Sequence, residues 1–262
     1  MSTDMHPEIG TPHDVSGTRY ERRGCRIADF CASEPQFAAA MPDPATIEAA
    51  RHPELRLAEI LQTFVNGYAD RPAVGQRARA LVTDPVTGRT SAQLLARFDM
   101  TSYRDLWERV TAIATDWRHD PAHPLSPGDF VVTIGFASPD YLAVDLACAY
   151  LGLVSVPLQH TAPASQLKPI IDEVEPKVVA VSAPYLELAV ESALGSASLR
   201  HLLVFDYQPE LDDHRESLER ARTRLQQAGV PANIDTLAEV VDRGRARRAN
   251  SSTPPAPTSG WR

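Results

Sequence analysis

The side chains of this 262-residue chain that could move protons or hold ligands are scattered along it. The best placed is His160, beside Gln159, because the two follow the apolar run 154–158. If that run is a strand of an open α/β sheet, His160 stands at its carboxyl end, where such sheets receive ligands. No carboxylate partner is identifiable by spacing, so a structural or solvent-facing histidine is the competing reading. His119, His123, His201 and His214 have weaker claims. Asp212, Asp213, Glu216 and Glu219 form an acidic run, but Arg215, Arg220, Arg222 and Arg224 interleave with it, which is the pattern of a solvated helix face and not of a metal site. The arginines from Arg243 to Arg248 read as a solubilising tail.

Phosphate chemistry finds no cradle. No GxGxxG follows the first buried strand, and GxxxxGK[ST], GxSxG and HExxH are all absent. The turn that closes that strand is Ala137-Ser138-Pro139-Asp140. Ser138 and Asp140 suit a helix cap with Pro139 in the first turn, and a turn without glycine holds side chains where a phosphate would have to approach the backbone.

The elements that must position these groups centre on residues 126–159. A Pro-Gly-Asp turn leads into an apolar strand over 130–136, an almost wholly apolar helix over 141–151 ended by Gly152, and a second strand over 154–158. A strand-helix-strand unit of this kind joins parallel strands that need cover on both faces. Upstream, residues 19–41 predict a surface helical hairpin whose second helix starts at Pro35, and 55–68 an amphipathic helix. Residues 73–79, 79–83 and 91–101 read as extended, with a turn at 84–88, giving a small antiparallel β-hairpin. Thr101 or Ser102 caps the next helix. Downstream, helices over 163–174, 184–194 and 209–228 alternate with strands over 177–182 and 201–205, and a last short helix spans 236–243. Such alternation is the signature of a three-layer α/β sheet. Residues 1–18 read as a disordered leader and 244–262 as a disordered linker or tail.

Length permits a sizeable core. A net charge of −8 argues against nucleic acid as a partner. No apolar run reaches the length of a membrane span, the amino terminus lacks a signal-peptide core, and three cysteines without CxxC spacing fit a reducing cytoplasm.

Several segments together resemble the amino-terminal part of adenylate-forming acyl ligases of the AMP-binding superfamily. They are ADFCASEPQFAAA (28–40), GYADRPAVGQRA (67–78), TSYRDLWERV (101–110), PGDFVVTIGFASPDY, LACAYLGLVSVPLQ, SQLKPIIDEVEPKVVAVS and HLLVFDYQ. The PQFAAA and YADRPA segments are most similar to the adenylation domains of carboxylic acid reductases and fatty-acid-CoA ligases. The resemblance covers residues 19–243 and implies an incomplete amino-terminal adenylation subdomain. In an intact relative it implies a fatty or aromatic carboxylic acid, ATP and Mg, and acyl-AMP followed by a thioester. The family's YTSGSTGxPKG loop is missing; Thr258, Ser259 and Gly260 echo it, without a preceding apolar strand. The resemblance therefore implies no catalytic, cofactor-binding or metal-binding residue here, an inactive and aggregation-prone product, and a possible complementing carboxy-terminal fragment. The reading from a different class is a non-catalytic α/β binding or interaction module.

Overall fold

The structure, a computed structural model, describes residues 18–250. Residues 1–17, most of the expected leader, and the echo at Thr258, Ser259 and Gly260 lie outside the described residues. The chain divides into two compact units, residues 1–47 and 48–262. In the first, α1 (Arg19–Ser33) and α2 (Pro35–Ala40) form the expected helix pair. The Thr18 hydroxyl accepts from the Glu21 N–H while the Glu21 carboxylate accepts from the Thr18 N–H, a reciprocal cap that satisfies two donors left open by the first turn. The Phe30 and Phe37 rings meet at 5.6 Å. A further helix, α3 (Pro44–Ala50), crosses the boundary between the units. Sequence reading misses it because Ile47 is its one large apolar residue.

In the second unit, α4 (Leu57–Gly67) precedes an antiparallel hairpin of β1 (Pro72–Thr83) and β2 (Thr90–Ser102). The two extended pieces read as meeting at Arg79 are one strand, with a register irregularity between Arg77 and Arg79. Ser102 caps α5 (Tyr103–Arg118) by accepting from the Asp105 N–H. Five parallel strands follow: β3 (Phe130–Ile134), β4 (Val154–Leu158), β5 (Val178–Ser182), β6 (His201–Phe205) and β7 (Asn233–Thr236), in the order β4-β3-β5-β6-β7. Between and after them run α6 (Pro139–Leu151), α7 (Ala164–Val174), α8 (Leu186–Ala193), α9 (Asp212–Gln227) and α10 (Leu237–Asn250).

Alternation along the strands separates two cores. Val131, Val178, Ala180, Leu203 and Phe205 pack with α4, α5, α6 and α10. Val132, Ile134, Val179, Val181, Leu202 and Val204 pack with α7, α8 and α9. This is the expected three-layer α/β arrangement, and it explains why the strands are apolar at successive positions and not only at alternate ones. α6 has no exposed position. It ends as expected at Gly152, whose φ of 70° suits a residue without Cβ, with the Leu153 N–H bonded to the Cys148 carbonyl at 2.9 Å. Burial of the Cys148 thiol pushes its pKa well above the ordinary range.

Four expectations need correction. The first strand stops at Ile134, not Phe136, and α6 starts at Pro139. β4 is an edge strand, half-buried, and not a fully buried one. β7 was missed, because Asn-Ile-Asp-Thr carries a single large apolar residue. The last helix does not end at Arg243: α10 continues to Asn250. Residues 244–250 are therefore not tail, and their arginines are not merely solubilising. Arg243 bonds to Asp116 at 3.0 Å and to Asp235 at 3.0 Å, Arg247 donates to the Asp116 carbonyl at 2.8 Å, and Arg248 donates to the Thr111 hydroxyl. Asp116 is buried on α5, so these cations offset the cost of its charge.

Gly244 makes this packing possible. A Cβ built there would fall 1.9 Å from the Ala112 carbonyl oxygen, a backbone atom that cannot rotate away. Gly244→Ala is expected to destabilise the protein by about 3 kcal/mol or more, since an overpacked site must separate two helices. Urea unfolding measures it; an unchanged midpoint would contradict the close approach.

Candidate functional site

The strand order sets where a ligand could enter. From β3 the chain passes through α6 to β4 on one side, and from β5 through α8 to β6 on the other. Connections that leave two adjacent parallel strands in opposite directions open a crevice beyond their carboxyl ends. A cavity of about 630 Å³ lies there. It is lined by Phe136, Ala137, Ser138 and Pro139 after β3, by Ser182 at the end of β5 with Pro184 and Tyr185 beyond it, by Asp206 after β6, and by the hairpin through Val74, Gly75, Arg77, Arg79 and Phe98.

Two carboxyl ends, those of β3 and β6, are joined to α5 by one side chain, and Asp206 adds the end of β5. Asp140, on the first turn of α6, pairs with Arg109 of α5 and accepts from the Asp206 backbone N–H at 3.0 Å. Asp206 takes φ of 54°, a left-handed conformation that aspartate tolerates better than most residues. Its carboxylate accepts from the Ser182 hydroxyl at 3.0 Å. Burial, helped by the charge of Asp140, pushes the Asp206 carboxyl above the ordinary aspartate range, although the hydroxyls of Ser138 and Ser182 and the charge of Arg79 oppose it. Ser138 accepts from the Tyr141 N–H at 3.1 Å, which is the capping role expected for it. Gly135 lets these ends converge: a Cβ there would lie 2.8 Å from the Phe205 ring and 3.0 Å from the Ser182 Cβ.

The histidines separate. His160 does not line the cavity; it sits in the turn after β4 with its ring 4.5 Å from that of Tyr185 and 6.2 Å from that of Phe136, both of which do. No polar contact joins it to the cavity carboxylate among the described residues. His214, given a weaker claim, does line the cavity. Its Nδ1 accepts from the Gln208 N–H at 3.0 Å, and burial with the nearby Arg79 charge lowers its pKa, so the imidazole is neutral with its proton on Nε2. His201 lies at the opposite, amino end of the sheet, buried between Asp120 at 3.7 Å and Asp235 at 3.9 Å. His123 packs beside it and His119 ends α5.

The acidic run is more than a solvated face. Arg89 at the hairpin turn bonds to Asp213 and Glu216, each at 2.6 Å, and the Asp212 carboxylate accepts from the Thr90 N–H at 2.5 Å, so α9 holds the hairpin against the cavity. Sequence reading missed Asp206, Ser182 and Tyr185. The rule applied to His160, a polar residue just past an apolar strand, also fits Asp206 after HLLVF; the strand order needed to rank the two is not written locally.

Asp206 carries a stability signature. With its folded pKa raised, the ionised form is disfavoured in the native state, so the wild type loses stability as pH rises from the unfolded aspartate value of 3.8 through the folded value. Asp206→Asn, which keeps shape and tolerates the left-handed backbone, is expected to melt at or above the wild-type temperature at pH 7, with the gain vanishing below pH 3.8. A variant less stable than wild type at pH 7 but not at low pH would reverse the sign.

Comparison with known proteins agrees with this geometry. Residues 63–255 match the AMP-binding enzyme family. Carboxylic acid reductase of Segniliparus rugosus is 46% identical over 90% of this chain and 20% of its own length. That of Mycobacterium tuberculosis is 48% identical over 84% of this chain and 18% of its own length. The chain thus spans about a fifth of the length of the curated relatives it matches. Among solved structures, the A domain of the Segniliparus rugosus enzyme, in complex with AMP and a co-purified carboxylic acid, superposes with a TM-score of 0.83 at 45% identity, covering 90% of this chain and 36% of that one. The A domain of a carboxylate reductase from Mycobacterium chelonae gives 0.82 at 41% identity, covering 95% and 38%. A parallel sheet of this order, a crevice at its switch point and a family match across most of the chain lead to one conclusion: the chain belongs to the AMP-binding enzyme family.

Proposed function

We propose that this chain is the amino-terminal part of a carboxylate-activating enzyme of the carboxylic acid reductase kind, in which a carboxylic acid and ATP give an acyl-adenylate that then passes to a thiol as a thioester. The observation that supports it is the 45% identity and TM-score of 0.83 to an A domain solved with AMP and a carboxylic acid. A fatty or aromatic acid suits the apolar lining supplied by Phe98, Phe136, Tyr141, Leu142 and Tyr185. The same reading makes the chain a scaffold and one wall of the acyl pocket, completed by a carboxy-terminal part of the domain. It also places the protein in the cytoplasm; three free thiols and the lack, among the described residues, of a helix long and apolar enough to cross a membrane support this.

ATP and Mg do not fit the residues at hand. The amino end of α6 is already capped by Ser138, and Asp140 and Asp206 beside it would oppose a phosphate brought to that helix end. No group of three or more His, Cys, Asp or Glu side chains suited to a metal ion occurs among the described residues. The sequence carries no YTSGSTGxPKG-like loop after an apolar strand. No phosphoryl step is therefore assigned to this chain, and we propose that residues 1–262 alone do not form acyl-adenylate.

The test is acid-dependent ATP–pyrophosphate exchange with benzoate and octanoate. The 262-residue chain is expected to show none, and a fusion of it to the unmatched part of the Segniliparus rugosus A domain to show it. Exchange by the chain alone would sink the claim of incompleteness; a folded fusion without exchange would sink the assignment to carboxylate activation.

A further inference from the structure

The helix pair of the first unit keeps its side chains largely in solvent. Every residue of α1 is exposed except Ile27 and Cys31, which are half-buried, and all of α2 is exposed. Among the aromatic residues Tyr20 is 88% exposed, Phe30 53% and Phe37 38%. The charge on α1 is not spread evenly. Arg19, Arg22, Arg23 and Arg26 are spaced three and four residues apart, so at 3.6 residues per turn they fall within one arc of about 100°. Tyr20, Ile27 and Cys31 form the neighbouring stripe, and Phe30 continues the line of the arginines one turn further on. Glu21 is on the far side with its carboxylate taken by the Thr18 N–H, and Asp29 sits in the second half of the helix.

This placement costs α1 stability when it stands alone. Arg19 faces Arg22 and Arg23, and Arg26 faces the same two, so like charges sit three or four residues apart along the whole stripe. The stripe also lies toward the amino end, where the helix dipole is already positive. No ion pair among the described residues relieves Arg19, Arg23 or Arg26. A negative surface facing the stripe would remove both penalties. The net charge of −8 does not oppose this, because at physiological salt exposed charges more than about 8 Å away are largely screened. The apolar stripe beside the arginines narrows the choice of surface. An acidic polymer in solution answers the arginines alone, whereas a phospholipid surface answers both stripes: tyrosine sits at headgroup level, apolar side chains enter the acyl boundary, and the long arginine stems let the guanidiniums stay with the phosphates.

We propose that α1 is an interfacial helix that lies flat on an anionic phospholipid bilayer, with the arginines from Arg19 to Arg26 on the headgroup phosphates and Tyr20, Ile27 and Phe30 at the acyl boundary. This concerns the first unit alone and does not rest on the functional reading above. The contact of Phe30 with Phe37 at 5.6 Å brings α2 to the same side, so Phe37 extends the apolar footprint. Four guanidiniums and a few rings give reversible association and not a permanent anchor.

The experiment floats the full chain with vesicles of phosphatidylcholine, alone or mixed equally with phosphatidylglycerol, so that bound protein rises and aggregated protein sinks. At about 0.1 M salt the mixed vesicles are expected to bind at least about tenfold more tightly than the neutral ones, and at about 0.5 M most of that difference is lost. Arg19→Gln, Arg23→Gln and Arg26→Gln together are expected to weaken binding to the mixed vesicles about hundredfold, whereas the same three positions changed to Lys, which keeps the charge, retain it within a few-fold. Tyr20→Ser, at an exposed side chain, is expected to weaken it several-fold with no change in melting temperature. Amide exchange over residues 19–33 is expected to slow when the mixed vesicles are present. Equal binding to the two kinds of vesicle, absence of binding to both, a triple Gln variant that binds as the wild type does, or slowed exchange confined to the second unit would each overturn the proposal. Polyglutamate or single-stranded DNA that binds more tightly than the mixed vesicles, and is lost in the triple Gln variant, would overturn it by making an acidic polymer the occupant.

Discussion

Everything in the second unit follows from the fact that a parallel sheet must be covered on both faces. Parallel strands cannot be joined by tight turns, so each connection has to cross over, and each crossover helix lands on one face or the other. Here α6 goes to one face and α7, α8 and α9 to the other. The first face would be left half-covered by α6 alone. It is completed by α5, which precedes the sheet, and by α10, which follows it. The change of side between β3 and β5 is what opens the crevice, so the cavity is a consequence of how the sheet is covered and not a separate invention.

Closure of that first face depends on two devices that side-chain hydrophobicity does not supply. One is the contact of Gly244 with the α5 backbone at Ala112, too close for any other residue. The other is buried Asp116 with Arg243 and Arg247 around it, and Asp235 on β7 joined to the same guanidinium. The Asp235 carboxyl is held below the ordinary range by its hydrogen bond to His201 and by Arg243, which together outweigh its burial. A charge taken out of water on α5 therefore fixes where α10 and the end of β7 must sit. Such a pair adds little net stability over an apolar one, yet it makes misplacement of α10 costly, because a slipped helix would leave Asp116 unpaired.

Most of the layers were legible in the sequence, and the reason is local. The strands HLLVF and VVAVS are apolar except at His201 and Ser182, the helix ending at Gly152 is almost wholly apolar, and Ser102, Ser138 and Pro35 are start signals read within three or four residues. What failed was the part of the signal that comes from elsewhere. β7 is a strand because β6 offers it an edge, not because Asn-Ile-Asp-Thr favours one. The RARRAN segment is helical because Asp116 and Thr111, more than a hundred residues earlier, receive its arginines. The cavity was hidden for the same reason: His160 and Asp206 look alike as residues that follow strands, and only the order β4-β3-β5-β6-β7 puts Asp206 inside and His160 beside it.

The chemistry of the cleft is then constrained by what its polar groups are already doing. Asp140 holds α5, α6 and the turn after β6 in place, Ser138 satisfies the first turn of α6, and Ser182 shares its proton with Asp206. A site that has committed these hydroxyls and carboxylates to its own walls uses them to position and shield, and Gln76, Arg79 and His214 are the further polar residues of its lining. Phe98, Met100 and Phe136 are more than half exposed, Phe98 with the Arg77 guanidinium over its ring and Phe136 beside the His160 ring. In this unit the polar groups build the geometry of the cleft, with Phe98 and Phe136 exposed along its lining and Arg77 and Arg79 beside them.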